Sequence, residues 1–159
     1  QLAVVGACVD REPTMAGKPA RPLLEATCTR LGCHRPIFVG DRLDTDILGA
    51  RNAGITSLFV LTGAHGVHDL MDADPDRRPD HIGADLGALL EPPQRVVVDG
   101  DAARCDGQLV RQIDGDLEVD LTNHDMAAQL SGVRALLELV WTGRVPVNHD
   151  ALSVFDLLH

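Results

Sequence analysis

The chain has no tyrosine, one tryptophan, three phenylalanines and a single lysine among its fourteen basic residues. With 24 Asp and Glu against 14 Lys and Arg, the net charge of −10 argues against nucleic acid or anionic membrane as a partner. No apolar run approaches the roughly twenty residues a membrane-spanning helix needs. The four cysteines, Cys8, Cys28, Cys33 and Cys105, show no Cys-x-x-Cys spacing, and no charged leader with an apolar centre precedes them. Free thiols in a reducing cytoplasm are therefore expected, not disulfides or a thiolate metal site.

What is present is a chain of 159 residues, about one ordinary domain, long enough to bury roughly 70% of the surface its unfolded form would expose. It opens on Leu2 to Val9, an apolar segment without a cap, which reads as entry in mid-pattern and leads us to expect a portion upstream of Gln1. From Pro19 the positions Leu23, Leu24, Thr27, Cys28 and Leu31 have helical period, and Gly32 stands where a left-handed cap would end a helix of about twelve residues. Ile37-Phe38-Val39, between Pro36 and Gly40, predicts a strand buried on both faces of a parallel sheet. A second helix follows through Ile47, Leu48 and Ala50, capped by Asp44 or Thr45 and stopped at Gly54. The run Ile55 to Leu61 predicts another buried strand.

This alternation implies an α/β fold with right-handed crossovers, whose ligand crevice lies outside the carboxyl ends of the strands. Residues 65 to 80 read as an exposed loop. A short strand at His81 to Gly83 and a helix over Leu86 to Leu90 complete a first part, residues 1–91, and Pro92-Pro93 marks a boundary. Residues 92–159 read as a small α+β tail with its own core. Its expected strands are Val96 to Val98, Gln108 to Ile113 and Leu117 to Leu121, with turns at Gly107 and Gly115, before a helix from Met126 to Trp141.

Two features carry chemistry. Lys18 sits in Gly17-Lys18-Pro19, where glycine permits a close approach and proline fixes the backbone after the lysine. A composition that otherwise uses Arg has kept a compact ammonium where a planar guanidinium is a poor substitute. The second feature is Gly40-Asp41-Arg42-Leu43-Asp44-Thr45-Asp46, an acidic turn at a strand's carboxyl end. Asp41 and Asp46 straddle the turn and could converge on a hard cation. Magnesium suits such a site because it keeps several waters and takes one or two carboxylates beside substrate phosphate oxygens. Carboxylates capping a helix N-terminus are the alternative, and spacing alone leaves both open.

Gly17-Lys18-Pro19, Ile37 to Ile47, Asn52-Ala53-Gly54 and Val60-Leu61-Thr62-Gly63, taken in order, resemble the carboxyl half of a haloacid-dehalogenase (HAD) superfamily phosphatase. The nearest resemblance is to the branch of 4-nitrophenyl-, phosphoglycolate and glycerol-phosphate phosphatases, and it covers about residues 1 to 91. It implies a partial Rossmann-like parallel sheet, Mg2+ as cofactor and a small phosphomonoester as substrate: glycerol phosphate, phosphoglycolate or a sugar phosphate. It also implies that Lys18 steadies the nucleophile and the phosphorylated intermediate, that Asp41 ligates magnesium, and that Asp46 holds metal-bound water or a neighbouring ligand.

The resemblance also implies an Asp-x-Asp nucleophile motif, a phosphate-binding Ser or Thr and a cap domain before Gly17. The sixteen preceding residues cannot hold them, so the chain alone is expected to be inactive. A non-catalytic HAD-like binding module is the rival reading. Exposed strand edges would favour association between copies or marginal folding.

Val96-Val97-Val98-Asp99-Gly100-Asp101 offers a second Asp-x-Asp through circular permutation, although Gly100-Asp101 is also ordinary turn chemistry. His65 and His68 form an isolated His-x-x-His without a third ligand at suitable spacing. Asp72-Ala73-Asp74-Pro75-Asp76 begins like a calcium loop, but Arg77 stands where that loop needs glycine.

Overall fold

The computed structural model describes residues 15–114 and 116–155. The expectations for Leu2 to Val9, Cys8 and Gly115 lie outside them. The first helix, α1, spans Pro22–Leu31 and ends on Gly32 at φ 62°, whose N–H returns to the carbonyls of Cys28 and Thr29. It starts later than expected because the Ala20 N–H bonds the Gly17 carbonyl at 2.9 Å, closing a turn before Pro22 takes the first helical position. Of its apolar stripe only Leu24 is buried, and Leu31 is 71% exposed.

Three parallel strands follow, β1 (Ile37–Gly40), β2 (Thr56–Val60) and β3 (His81–Gly83), in the order β1-β2-β3. Ile37 lies beside Thr56 and Gly40 beside Phe59, while Leu58 lies beside His81. The expected two-sided burial holds for β2, where Ser57 to Val60 are buried, and fails for β1, where Ile37 is 50% exposed. Among the described residues β1 has a strand neighbour on one side only. An apolar run records a capacity for burial and does not supply the partner.

Between β1 and β2 the chain makes a π-helical turn, Leu43–Ile47, that continues into α2 (Leu48–Ala53) and stops at Gly54, φ 67°. Neither Asp44 nor Thr45 caps this segment, contrary to expectation. Residues 65 to 80 are also not a plain loop: α3 (Val67–Met71) buries Val67, Leu70 and Met71, and a 3-10 turn covers Pro75–Arg77. Three apolar residues at helical spacing were enough to fold a short helix into the core, although polar neighbours masked them. Leu86–Leu90 forms a 3-10 turn, not an α-helix.

The tail is an antiparallel meander, β4 (Val96–Asp99), β5 (Ala102–Cys105), β6 (Gln108–Ile113) and β7 (Asp116–Asp120), followed by α4 (Met126–Trp141). Strand β5 was not anticipated. It arises because Gly100, at φ 58°, and Asp101 make a two-residue hairpin with Asp99 opposite Ala102. The Asp-x-Asp of the permutation alternative is thus a hairpin turn in a sheet that does not include β1.

The tail does not keep a core to itself. One buried cluster runs from Leu43, Ile47 and Phe59 through Leu70 and Met71 to Val133, Leu136, Leu137 and Phe155. Polar anchors cross the same boundary. The Trp141 indole N–H donates to the Leu70 carbonyl at 2.9 Å, Arg78 donates to the Trp141 carbonyl at 2.9 Å, and the Arg134 Nε donates to the Ile82 carbonyl at 3.2 Å. Gly132 lies where α4 meets this cluster. A Cβ there would come within 2.7 Å of the Phe155 ring and 2.8 Å of Leu121. Gly132→Ala is therefore expected to cost about 1–3 kcal/mol by overpacking, read as a lower midpoint in urea unfolding.

Cys28, Cys33 and Cys105 are free thiols, as expected, and burial pushes the Cys105 thiol pKa up. Among the described residues no helix is long and apolar enough to cross a membrane.

Candidate active site

Asp41 follows Gly40 at the carboxyl end of β1, where an open parallel sheet presents its crevice. Arg42 is extended, and the π turn then brings Asp46 back beneath the strand end. The Asp46 N–H donates to the Arg42 carbonyl at 2.9 Å, and the Arg42 N–H donates to Asp46 Oδ2 at 3.2 Å. Asp46 is only 4% exposed. Gly40 makes that depth available, since a Cβ on it would sit 2.3 Å from the Asp46 Cβ. π turns inside helical segments recur at functional sites because the extra residue redirects a side chain.

The other oxygen of Asp46 receives Lys18. Its Nζ donates to Oδ1 at 2.5 Å, with the lysine side chain 40% exposed and the aspartate's 6%. The ammonium also lies 5.6 Å from the centre of the Phe38 ring on β1. The turn carrying it is pinned from behind: Asn52 Nδ2 donates to the Pro19 carbonyl at 2.9 Å, and it runs so close to α2 that a Cβ on Gly49 would lie 3.5 Å from the Pro19 Cα and 3.7 Å from the Lys18 Cγ. The Lys18-Pro19 peptide is cis. Lysine is thus presented from a braced turn with its charge at the crevice.

Asp41 is held differently. Its Oδ2 accepts the Ala64 N–H at 2.7 Å, and its backbone carbonyl accepts the His65 N–H at 3.2 Å. His65 in turn accepts the Leu43 N–H on Nδ1 at 3.0 Å. The loop after β2 therefore closes over the acidic turn. It can do so because residue 63 is glycine, where a Cβ would lie 2.0 Å from Asp41 Oδ2. Asp44 turns outward to the Arg42 guanidinium, with bonds of 3.2 and 2.9 Å that hold its carboxyl below the usual aspartate range.

Three acidic residues on one turn therefore have separate duties. Asp44 is tied to Arg42 at the surface, and Asp46 has both oxygens committed to protein donors. Asp41 keeps Oδ1 without a protein donor among the described residues. No group of three or more His, Cys, Asp or Glu able to hold a metal occurs among the described residues. The donor set suits a hard cation that takes one carboxylate oxygen here and keeps water elsewhere, which is how magnesium binds. It does not suit a closed calcium or zinc cage.

Lys18, Asp41 and Asp46, singled out by sequence, thus meet at one strand end. Phe38, Asn52, Gly49 and Gly63 carry no such signal of their own, and His65 stands out only as half of a His-x-x-His pair. Gly63 and Asn52 lay inside the quoted motifs, but nothing in their spacing showed that one makes room for a carboxylate and the other pins the lysine turn. His65 and His68 do not converge: His65 serves the acidic turn and His68 lies on the exposed side of α3.

Residues 15–89 match the HAD-hydrolase-like family model. The chain is similar to the D-glycerol 3-phosphate phosphatase of Mycobacterium tuberculosis, at 37% identity over 94% of this chain and 42% of that protein. It is also similar to phosphoglycolate phosphatase 2 of Arabidopsis thaliana, at 36% identity over 58% of this chain and 32% of the relative. Among solved structures, the glycerol phosphate phosphatase of M. tuberculosis in complex with magnesium superposes with a TM-score of 0.62. That match has 32% identity and covers 98% of this chain and 48% of the other. The same protein in complex with calcium gives 0.62 at 31% identity, covering 99% and 49%. The chain spans half or less of the length of these relatives.

Proposed function

We propose that this chain, whose residues 15–89 match the HAD-hydrolase-like family model, is the lysine- and magnesium-bearing half of a HAD-type phosphatase. It would act on small phosphomonoesters in a reducing cytoplasm. The observation that carries this reading is the strand-end arrangement of a Lys18 ammonium fastened to a buried Asp46 beside an Asp41 with one uncommitted oxygen. Phosphoryl transfer needs mainly positioning and the neutralisation of charge spread over the phosphoryl oxygens, and this geometry serves both.

Asp46 fixes Lys18 so that its remaining N–H donors face the crevice, where they steady an attacking carboxylate and a phosphoryl oxygen. Asp41 Oδ1 would serve as a ligand to Mg2+, which when bound would supply further neutralisation without proton transfer. The His65 loop fixes Asp41 from the other side. The attacking carboxylate and the groups that choose the substrate belong to a part of the enzyme outside these residues, so the 159-residue chain alone would not turn over.

Glycerol phosphate is favoured over phosphoglycolate or a sugar phosphate. The similarity to the glycerol 3-phosphate enzyme extends through the tail, whereas the match to the phosphoglycolate enzyme covers 58% of the chain. The same reading divides the chain at about residue 92 into catalytic-core and tail parts and allows self-association through the open β1 edge.

Fusing this chain behind the amino-terminal half of the M. tuberculosis relative tests the reading. Magnesium-dependent phosphate release from D-glycerol 3-phosphate is expected from the folded chimera and from neither half alone. A chimera that melts cooperatively but releases no phosphate with any of the three substrates would leave the non-catalytic module as the better account.

A further inference from the structure

The end of α1 brings two thiols together. Gly32, at φ 62°, turns the chain back on the helix; its N–H donates to the Thr29 carbonyl and the Cys33 N–H donates to the Cys28 carbonyl, both at 3.2 Å. These are the 5→2 and 6→1 bonds of a left-handed glycine cap, in which the side chains of the two residues joined by the 6→1 bond often pack against each other. An apolar pair is usual there. In this chain both positions are cysteine, five residues apart.

The Cys33 thiol donates weakly to the Cys28 carbonyl, with its Sγ 3.6 Å from the oxygen. A hydrogen bond with Cys33, together with desolvation and the charge of Cys33, pushes the Cys28 thiol pKa up, as two sulfurs in contact require. Both side chains are half-buried, next to each other yet open to a small reagent, whereas Cys105 is 1% exposed. Packing holds this helix only lightly, since Leu24 is its one buried residue. A covalent link would therefore act where other contacts are few.

From this geometry we infer that Cys28 and Cys33 are a site of reversible disulfide formation, by exchange with a low-molecular-weight disulfide of the glutathione class. The Cys33 thiolate attacks one sulfur of the reagent, forming a mixed disulfide and expelling one thiolate. The Cys28 sulfur then attacks the Cys33 sulfur and expels the second. Each expelled thiolate takes up the proton lost by one cysteine, so two protein thiols are oxidised and one reagent disulfide is reduced to two thiols. A disulfide joins residues whose Cα atoms lie about 4.4–6.8 Å apart. A direct backbone bond between the same two residues keeps them within that reach, so the link forms by rotation of side chains with the cap intact. In a reducing compartment such a link is transient and redox-sensing, not a permanent staple. It would close the far end of the helix whose Leu23 N–H donates to the Ala16 carbonyl at 3.1 Å, beside the Lys18 turn. The inference does not depend on the catalytic reading.

Equilibrating the 159-residue chain in mixtures of reduced and oxidised glutathione, blocking free thiols with iodoacetamide and mapping tryptic peptides tests the inference. Trypsin cuts after Arg30, so a Cys28–Cys33 link appears as residues 12–30 joined to residues 31–42, while Cys8 falls on a separate peptide. That joined pair is expected, with two hydrogens lost, and dithiothreitol should restore both thiols. Cys28→Ser and Cys33→Ser should each abolish it and leave a mixed disulfide with glutathione on the remaining thiol. Gly32→Ala keeps both thiols but strains the left-handed cap, and should move the oxidation midpoint to a more oxidising mixture. Unfolding the parent chain in urea should move it the same way. Mixed disulfides alone in the parent, a link made through Cys8 instead, no oxidation in excess oxidised glutathione, or a midpoint that urea leaves unchanged would overturn the inference.

Discussion

Alanine in place of Lys18 should lower phosphate release by the reconstituted enzyme about 10²–10³-fold, the usual loss when one preorganised donor to a developing oxyanion is removed. The expected loss is large because Lys18 is the chain's only lysine and the one cation bonded to Asp46 in the described structure. Stability should fall as well, because Asp46 would remain 94% buried at the side-chain level without its counter-charge. Melting curves measured alongside the assay separate the two effects.

Lys18→Arg is the sharper variant. It keeps the charge but replaces a compact ammonium, fitted between the Asp46 carboxylate and the Phe38 ring, with a wide planar fork. Activity should remain depressed while stability largely recovers. Lys18→Ala activity within threefold of the parent would remove the lysine from the mechanism and, with it, the observation on which the proposed function rests.

The largest stability effect belongs to Phe59. It is fully buried in the central strand β2, flanked by Gly40 on β1 and Ile82 on β3, and belongs to the cluster that continues into α4. Phe59→Ala should cost about 3–5 kcal/mol, the sum of lost transfer energy and an unfilled cavity. Against a typical total of about 5–15 kcal/mol, that brings the chain close to unfolding. Urea titration followed by circular dichroism would register it as a lower midpoint. Ile37→Ala is the internal comparison. With Ile37 half exposed, truncation to alanine there should cost much less. Equal losses at the two positions would mean that β1 is covered in solution, as association through its edge would bring about.

How far the site could be read from sequence differs from residue to residue. Lys18, Asp41 and Asp46 were legible because each sits in a turn defined by Gly or Pro, at a spacing whose order matches a known family. The hydrogen bonding of the two aspartates was not legible. That Asp46 commits both oxygens and Asp41 only one depends on a π turn, and periodicity does not distinguish a π turn from an ordinary helical one. The elements that sequence does not reveal are hidden for separate reasons. α3 looks like loop in the sequence because its three buried residues lie among polar ones. β5 is hidden because Asp99-Gly100-Asp101 reads as an Asp-x-Asp motif as well as a turn. β1 was expected to be buried because an apolar tripeptide does not reveal how many neighbours it will find.

The sequence by itself determined the α/β alternation, the glycine stops of α1 and α2, the acidic turn at a strand end and the lysine that answers it. These rest on local backbone preference and on hydrophobic period, which act within a few residues. Tertiary structure alone decided that Asn52 pins the lysine turn and that Gly63 yields its space to Asp41. It alone decided that the tail shares one core with the parallel sheet, and that His68 finds its partner 81 positions away at His149. Each of these is a contact between segments whose separation along the chain is arbitrary, set by how two packed layers close on each other and by where that packing brings the polar groups at their edges.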